Sequence, residues 1–307
     1  MKAQSIGTMA ACCGILLIQS AVADTSATAD SAVVLERADD GGGGPAFELA
    51  VDFCSRQLTY GLVDNRDPIF TVEALAEWHG FTFEAAMIFD TTKWGRKHGG
   101  YGNRQGTYQE LAFGPGYIYA LSPEDVRLLP TTVELFINYI YEYHPPVRKD
   151  RGEENPDTQF VNIGMALPDL WLTPAVSAEF DIDNEAGAIY LAAEVGHSFT
   201  LIEGRDGCGG DPLVCSVGCG VGFGNAKRNR YDADFDTCAF KDVWVSAALE
   251  WQITDHLLLA PYAAVYEQIH GRLRSSARRY MDDPGAGVYE THASTQLIGG
   301  VRLVAMF

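Results

Sequence analysis

Carboxylates recur on one side of alternating segments throughout this chain. In "AFELAVDF", Glu48 and Asp52 alternate with Phe47, Leu49, Val51 and Phe53, and residues two apart share a face of an extended strand. The same parity collects Glu73, Glu77, Glu84, Asp90, Glu110, Glu134, Glu142, Glu179, Asp181, Asp183, Glu194, Asp242 and Glu250. Against these acids that face offers few cations, chiefly Arg56 and Arg302. Closed around water, such acids would form rings that favour cations; closed on themselves, they would bond Tyr, Ser, Asn and Arg in a plugged interior. Most remaining cations fall between the alternating segments, at Lys93, Arg96, Lys97, Arg104, Arg148, Lys149, Arg151, Lys227, Arg228, Arg230, Arg272, Arg274, Arg278 and Arg279. Exposed there, they could clamp lipid phosphates or draw anionic solutes to a mouth.

Other chemistry is weakly signalled. "GHSF" sets His197 beside Ser198, but neighbours on a strand point to opposite faces, so the pair cannot form a nucleophile and base. No G-x-S-x-G stretch occurs, and the chain is expected to be no enzyme. In "CGGDPLVCSVGC" the thiols of Cys208, Cys215 and Cys219 lack the paired C-x-x-C spacing of a zinc site. A Cys208–Cys215 disulfide across a Gly-rich turn is the simpler expectation, with Cys219–Cys238 as a second pair and Cys54 free. "DADFD" (232–236) spaces carboxylates as a calcium loop would, but no Gly or later Glu completes the pattern. "DDGGGG" has no preceding strand and no following helix, so it reads as a linker. No metal or cofactor is expected.

The elements that must position the acids follow from the period of two. Alternating runs give about twelve strands, roughly 46–62, 68–79, 81–91, 107–121, 131–144, 158–167, 172–183, 187–200, 216–225, 239–253, 257–268 and 294–307. Only "SPEDVRLL" (122–129) looks helical. Pro174 and Pro261 are expected near strand starts, where a missing N–H is tolerable. Residues 1–23 carry one cation, Lys2, then the apolar run "MAACCGILLI" and "AVA", which is the layout of a cleaved signal peptide. Residues 24–45 are acidic and Gly-rich and read as a flexible leader, leaving 46–307 as the folded domain. With 22 basic against 41 acidic residues the formal charge is 22 − 41 = −19, which disfavours nucleic acid as a partner.

Short connections ("WHGF", "LPDLW", "QITDH") alternate with long ones (91–106, 144–157, 225–238, 269–293). That is the pattern of a transmembrane antiparallel up-and-down β-barrel with short periplasmic turns and longer external loops. "DNEAG" and "LIEGRDGCGGDPLVCS" fit the alternation less well. The chain stops mid-strand on Phe307, as expected where a last strand must pair with the first to close the sheet. Such an aromatic end is also the insertion signal read by the barrel-assembly machinery.

Two hairpins carry a family resemblance. "VDFCSRQLTYGLVDNRDPIF" (51–70) and "WLTPAVSAEFDIDNEAGAIYLAAEVGHSF" (171–199) resemble hairpins of the TorF-like porins, and "HLLLAPYAAVY" repeats the Pro-opened pattern. The chain lacks the Arg expected just before Gly61 and carries extra cysteines. The resemblance implies an outer-membrane barrel in the envelope of a Gram-negative-type bacterium. The expected partners are outer-membrane lipid and lipopolysaccharide, the assembly machinery, and small hydrophilic solutes. The expected function is passive or substrate-preferring diffusion of such solutes through an acidic, cation-preferring lumen. The alternative is a non-conducting structural or adhesion barrel acting through its basic external loops.

Overall fold

Twelve strands pair edge to edge until the sheet shuts on itself. The computed structural model describes residues 44–59, 62–65, 68–91, 108–126, 129–143, 157–202, 212–233, 235–275 and 295–307. The barrel runs in sequence order: β1 (Ala46–Cys54), β4 (Ile69–Trp78), β5 (Phe81–Asp90), β6 (Tyr108–Leu121), β7 (Val133–Tyr143), β8 (Thr158–Ala166), β9 (Ala175–Asp181), β10 (Ile189–Ile202), β11 (Leu213–Gly224), β12 (Ala239–Thr254), β13 (Leu257–Gln268) and β14 (Thr295–Met306). Between β1 and β4 lies a separate small hairpin, β2 (Gln57–Thr59) and β3 (Leu62–Asn65). A helix, α1 (Ala226–Ala233), precedes β12. The expected signal peptide and nearly all of the expected leader lie outside the described residues.

Side-chain parity decides what the barrel is for physically. Outward positions are large and apolar: Phe83, Ile137 and Val245 are 49%, 50% and 62% exposed. In water a continuous belt of such residues would drive aggregation, whereas facing lipid it is the normal outer surface of a transmembrane barrel. Trp78, Phe81, Tyr119, Trp171, Trp251 and Phe307 are exposed toward the end where β1 begins and β14 ends, the position of an interfacial aromatic girdle. Closure leaves no strand edge in hydrocarbon. Phe307 sits on the seam: its N–H donates to the Phe47 carbonyl at 2.9 Å, and the Phe47 N–H donates to the Phe307 carbonyl at 3.1 Å.

Described turns at the end where β1 begins and β14 ends are built from local chemistry. His79 (φ 53°) and Gly80 (φ 82°) form the two-residue link between β4 and β5, the positive-φ pair that a twisted hairpin requires. A side chain on Gly80 would also strike the Ile118 carbonyl. Ser122 and Asp125 cap each other, with Ser122 Oγ donating to Asp125 Oδ2 at 2.7 Å and the Asp125 N–H donating to Ser122 Oγ at 3.2 Å. The carboxyl of Asp125 is thereby held below its ordinary range. Residues 122–126 thus form a turn in place of the helix expected over 122–129, of which 127 and 128 lie outside the described residues. Next door, Asp169 accepts from the Thr132 N–H at 3.0 Å and the Thr132 hydroxyl at 2.6 Å, and these bonds lower its pKa.

Three further expectations change. The first strand ends at Cys54, because the chain then turns into the β2–β3 hairpin. Part of the 225–238 connection is α1, capped by Asn225, whose Oδ1 accepts from the Arg228 N–H at 2.8 Å. Pro261 lies inside β13, not at its start, and faces outward. Its missing N–H is accommodated because pairing with β12 lapses between Ala248–Tyr262 and Trp251–Leu259 while pairing with β14 continues through Val301.

Candidate functional site: the barrel lumen

The inner face is closed over its polar groups. Glu48, Asp52, Glu73, Glu84, Glu110, Glu179, Asp181 and Asp242 are all buried, as are Arg228, Lys241 and Arg302. Of the expected lumen residues, Glu73, Glu84, Glu179, Asp181, Asp242 and Arg302 are therefore inside and covered. Glu77, Glu134, Glu142, Glu194 and Glu250 share the inward parity but are only half-buried. Arg56 is inside as well, donating to Gln296 Oε1 at 2.7 Å. The side chain of Asp90 lies outside the described residues.

On the wall formed by β1, β4, β5 and β14, one guanidinium serves several acids. Arg302 reaches Glu73 at 2.7 Å and Glu48 at 3.7 Å. Tyr262 donates to Asp52 Oδ2 at 2.7 Å, and Asn138 Nδ2 donates to Glu84 Oε1 at 2.9 Å. Toward the loop end the fill turns apolar: Leu58 of the β2–β3 hairpin packs with Ile69, Ile88, Trp244, Tyr262, Tyr266 and Ile298. These side chains come from opposite walls, so the hairpin folds inward and plugs the barrel. Trp244 can lie across the lumen because Gly220 faces it, and a side chain there would collide with the indole. Trp244 and Tyr266 stack with their rings 6.2 Å apart.

A second, ionic closure lies at the loop end beside β9 and β12. Arg228 of α1 pairs with Glu179, and its guanidinium sits 5.6 Å from the Phe160 ring centre. Lys241 pairs with Asp232 of α1. Asn229, fully buried, donates to the carbonyls of Gly224 at 3.0 Å and Thr237 at 2.8 Å, tying both ends of the connection to the helix. Arg228 thus corrects the expectation that it is an exposed loop cation. The sequence reading did not place Lys241 inside, because a bulge between Gly222 and Phe223 adds one residue to β12 and turns Lys241 inward beside Asp242. Nothing in the alternation marks that bulge.

The remaining expected sites resolve individually. His197 and Ser198 do part to opposite faces: His197 stacks between Trp171 and Phe199, while Ser198 bonds Ser216 at 2.8 Å. Ser216 in turn donates to Glu250 Oε1 at 2.5 Å. Two acids of "DADFD" diverge, Asp232 to Lys241 and Asp236 to Arg230 at 2.5 Å, and Asp234 lies outside the described residues. Among the described residues no group of acidic, His or Cys side chains is placed to hold a metal ion. Cys54, Cys215, Cys219 and Cys238 are free thiols. Cys219 faces Val245 whereas Ala239, next to Cys238, faces Gly224. Five residues of strand, roughly 16 Å, separate the two sulfurs, too far for the expected disulfide. Cys208 lies outside the described residues.

Comparisons with known proteins agree in shape only. No protein-family profile matches the chain, and no curated protein matches it by sequence. Among solved structures, it is similar to the COG4313 outer membrane channel from Pseudomonas putida F1 (10% identity, TM-score 0.42, 86% of this chain and 96% of that one). It is also similar to the outer membrane channel DcaP of Acinetobacter baumannii (8%, TM-score 0.35, 86% and 96%) and to the beta domain of the Bordetella autotransporter BrkA (9%, TM-score 0.34, 85% and 98%). Channels and an autotransporter domain score alike. The fold rests on the closed sheet and its apolar outer belt.

Proposed function

We propose that this chain is a porin-like outer-membrane channel for small hydrophilic solutes, cations in preference, and that the structure is its closed state. The observation that carries this reading is the charge balance of the filled lumen among the described residues: eight buried carboxylates against three buried cations, a formal excess of 8 − 3 = 5 acids. Burying charge is costly, and an interior of well-packed apolar residues is often as stable or more so. A barrel that served only as a scaffold would gain nothing from that excess. A passage that fills with water and cations when it opens uses it directly. The two covers over the acids, the Leu58 hairpin and α1, enter from connections at one end, where a displaced segment would uncover the lumen without breaking the wall. The TorF-like resemblance of the two hairpins points the same way.

The closed lumen equally suits a non-conducting barrel that acts through its outer loops, so the deciding experiment is electrical. Refolded protein is inserted in a planar bilayer under a KCl gradient, beside a Leu58→Ala variant that thins the apolar plug. Current steps with a cation-selective reversal potential, weakened by Glu84→Gln and Glu179→Gln, are the expected result. Barrels that are folded by gel mobility yet silent in both forms would overturn the channel reading and leave the loop-based one.

A further inference from the structure

The wall of β1, β4 and β5 carries more acceptors than the protein itself satisfies. Glu48, Asp52, Glu73 and Glu84 lie on three adjacent strands, and Arg302 pairs with two of them, Glu48 and Glu73. After Tyr262, Asn138 and Arg302 have made their bonds, Asp52 Oδ1 and Glu73 Oε1 have no donor, and Thr71 Oγ1 has no partner at all. All three residues are deeply buried, at 3%, 7% and 1% exposure. Thr71 stands opposite Asp52 in the β1–β4 ladder and two residues from Glu73 on the same inner face. The three unsatisfied oxygens therefore border one stretch of lumen. Buried polar atoms without partners are uncommon in native proteins, and each calls for a reason.

We infer that this wall is a binding station for a primary alkylammonium group; the route to it, though not the site, rests on the channel reading. The Asp52 and Glu73 oxygens are carboxylate acceptors and the Thr71 hydroxyl can accept or donate, so a cation that donates hydrogen bonds suits all three on this acid-rich surface. The described carboxylates do not converge as a directly bound metal ion requires. An ammonium suits separated acceptors, because its three N–H bonds diverge and each reaches about 2.8 Å. The alkyl part has a place too. Ile88 is opposite Thr71, and Ile69 is two residues from Thr71 on the same face, both in the apolar layer beneath Leu58. Charge and donors at one end with an apolar wall at the other select R–NH3+ over potassium, which has no donors, and over quaternary ammonium, which has charge and carbon only.

The test uses calorimetric titration of the folded full-length barrel in detergent with n-butylammonium chloride, tetramethylammonium chloride and KCl at matched ionic strength. Saturable butylammonium binding is expected, with the other two weaker by about tenfold or more, in line with loss of a charge-assisted hydrogen bond. Thr71→Val and Glu73→Gln should each weaken butylammonium by about tenfold, and Thr71→Val, which removes no charge, should leave the tetramethylammonium signal unchanged. Absence of saturable butylammonium binding, or equal affinity for all three cations, overturns the inference, and that comparison needs no variant to fold. Because the titration requires no conduction, a silent barrel that binds butylammonium fails only the channel reading, and a conducting barrel that ignores it fails only this one.

Discussion

Removing the guanidinium of Arg228 should open the barrel without unfolding it. Arg228 and Glu179 have side chains 3% and 7% exposed, and Asp232 lies 3.9 Å from Arg228 Nε. In Arg228→Met the Glu179 carboxylate stays buried with its partner on α1 gone. Stranding one member of a buried pair costs about 3–5 kcal/mol. At about 1.4 kcal/mol per tenfold, that is roughly two to almost four powers of ten in an equilibrium constant. The cheapest relief is local: if α1 lifts, Glu179 meets water while every barrel ladder survives. The docked-to-lifted equilibrium should therefore move toward the lifted state by a large part of that factor. Single-channel recording reads this as a rise in open probability, with the heat-dependent gel shift of the folded barrel retained. The control is Arg228→Met with Glu179→Met, which removes the buried charge as well and should return the barrel toward closure; coupling of this kind is what a double-mutant cycle isolates. A folded Arg228→Met barrel with unaltered closed occupancy, or a double variant as open as the single one, would refute the reasoning.

Other consequences are local. Deleting Phe307 removes two seam hydrogen bonds with Phe47, each worth about 1 kcal/mol, so the temperature at which the folded gel band is lost should drop; an unchanged temperature would show that the seam is held elsewhere. Asp169 has a lowered pKa because Thr132 donates to it, so its contribution is present above the ordinary carboxylate range near pH 4 and is lost as pH falls through the lower folded value. Hydrogen exchange at the Thr132 amide, corrected for intrinsic rates, should thus stay protected at neutral pH and loosen only in strong acid, while Asp169→Asn loosens it throughout; protection indifferent to that substitution would be contrary. Cys219 faces outward in mid-strand and Cys238 lies exposed beside β12, so in liposomes a membrane-impermeant maleimide should label Cys238 and spare Cys219, and labelling of both would contradict the membrane placement of β11.

The wall was legible in the sequence and its filling was not. Alternation is a local signal: Phe81, Phe83 and Met87 against Thr82, Glu84 and Ile88 declare two faces wherever the strand ends up. Closure was legible in part, because an even number of alternating runs lets the last pair with the first, as β14 does with β1. What enters the lumen depends on contacts between segments far apart in the chain, such as Leu58 with Trp244 and Tyr266. "QLTYGLV" is no more hydrophobic than a strand continuing upward, so it reads as the end of β1. Arg228 and Lys241 escaped for different reasons, the first because a loop helix folds inward and the second because a bulge breaks parity for one residue.

The two covers differ in kind, and that difference bears on how such a lumen could open. The hairpin plug is apolar, with Leu58 among aromatic and Ile side chains, and it strengthens with the same hydrophobic effect that holds any core. The α1 latch is ionic, and buried pairs are screened by salt far less than surface pairs. Neither cover responds strongly to ionic strength, so a change in salt alone is a poor trigger. A cation that satisfies the acceptors beneath Leu58 acts differently. It lowers the free energy of whichever lumen state admits it, and can shift the equilibrium only by its preference between the two. Because the buried acids exceed the buried cations by five among the described residues, that preference favours the state in which cations enter.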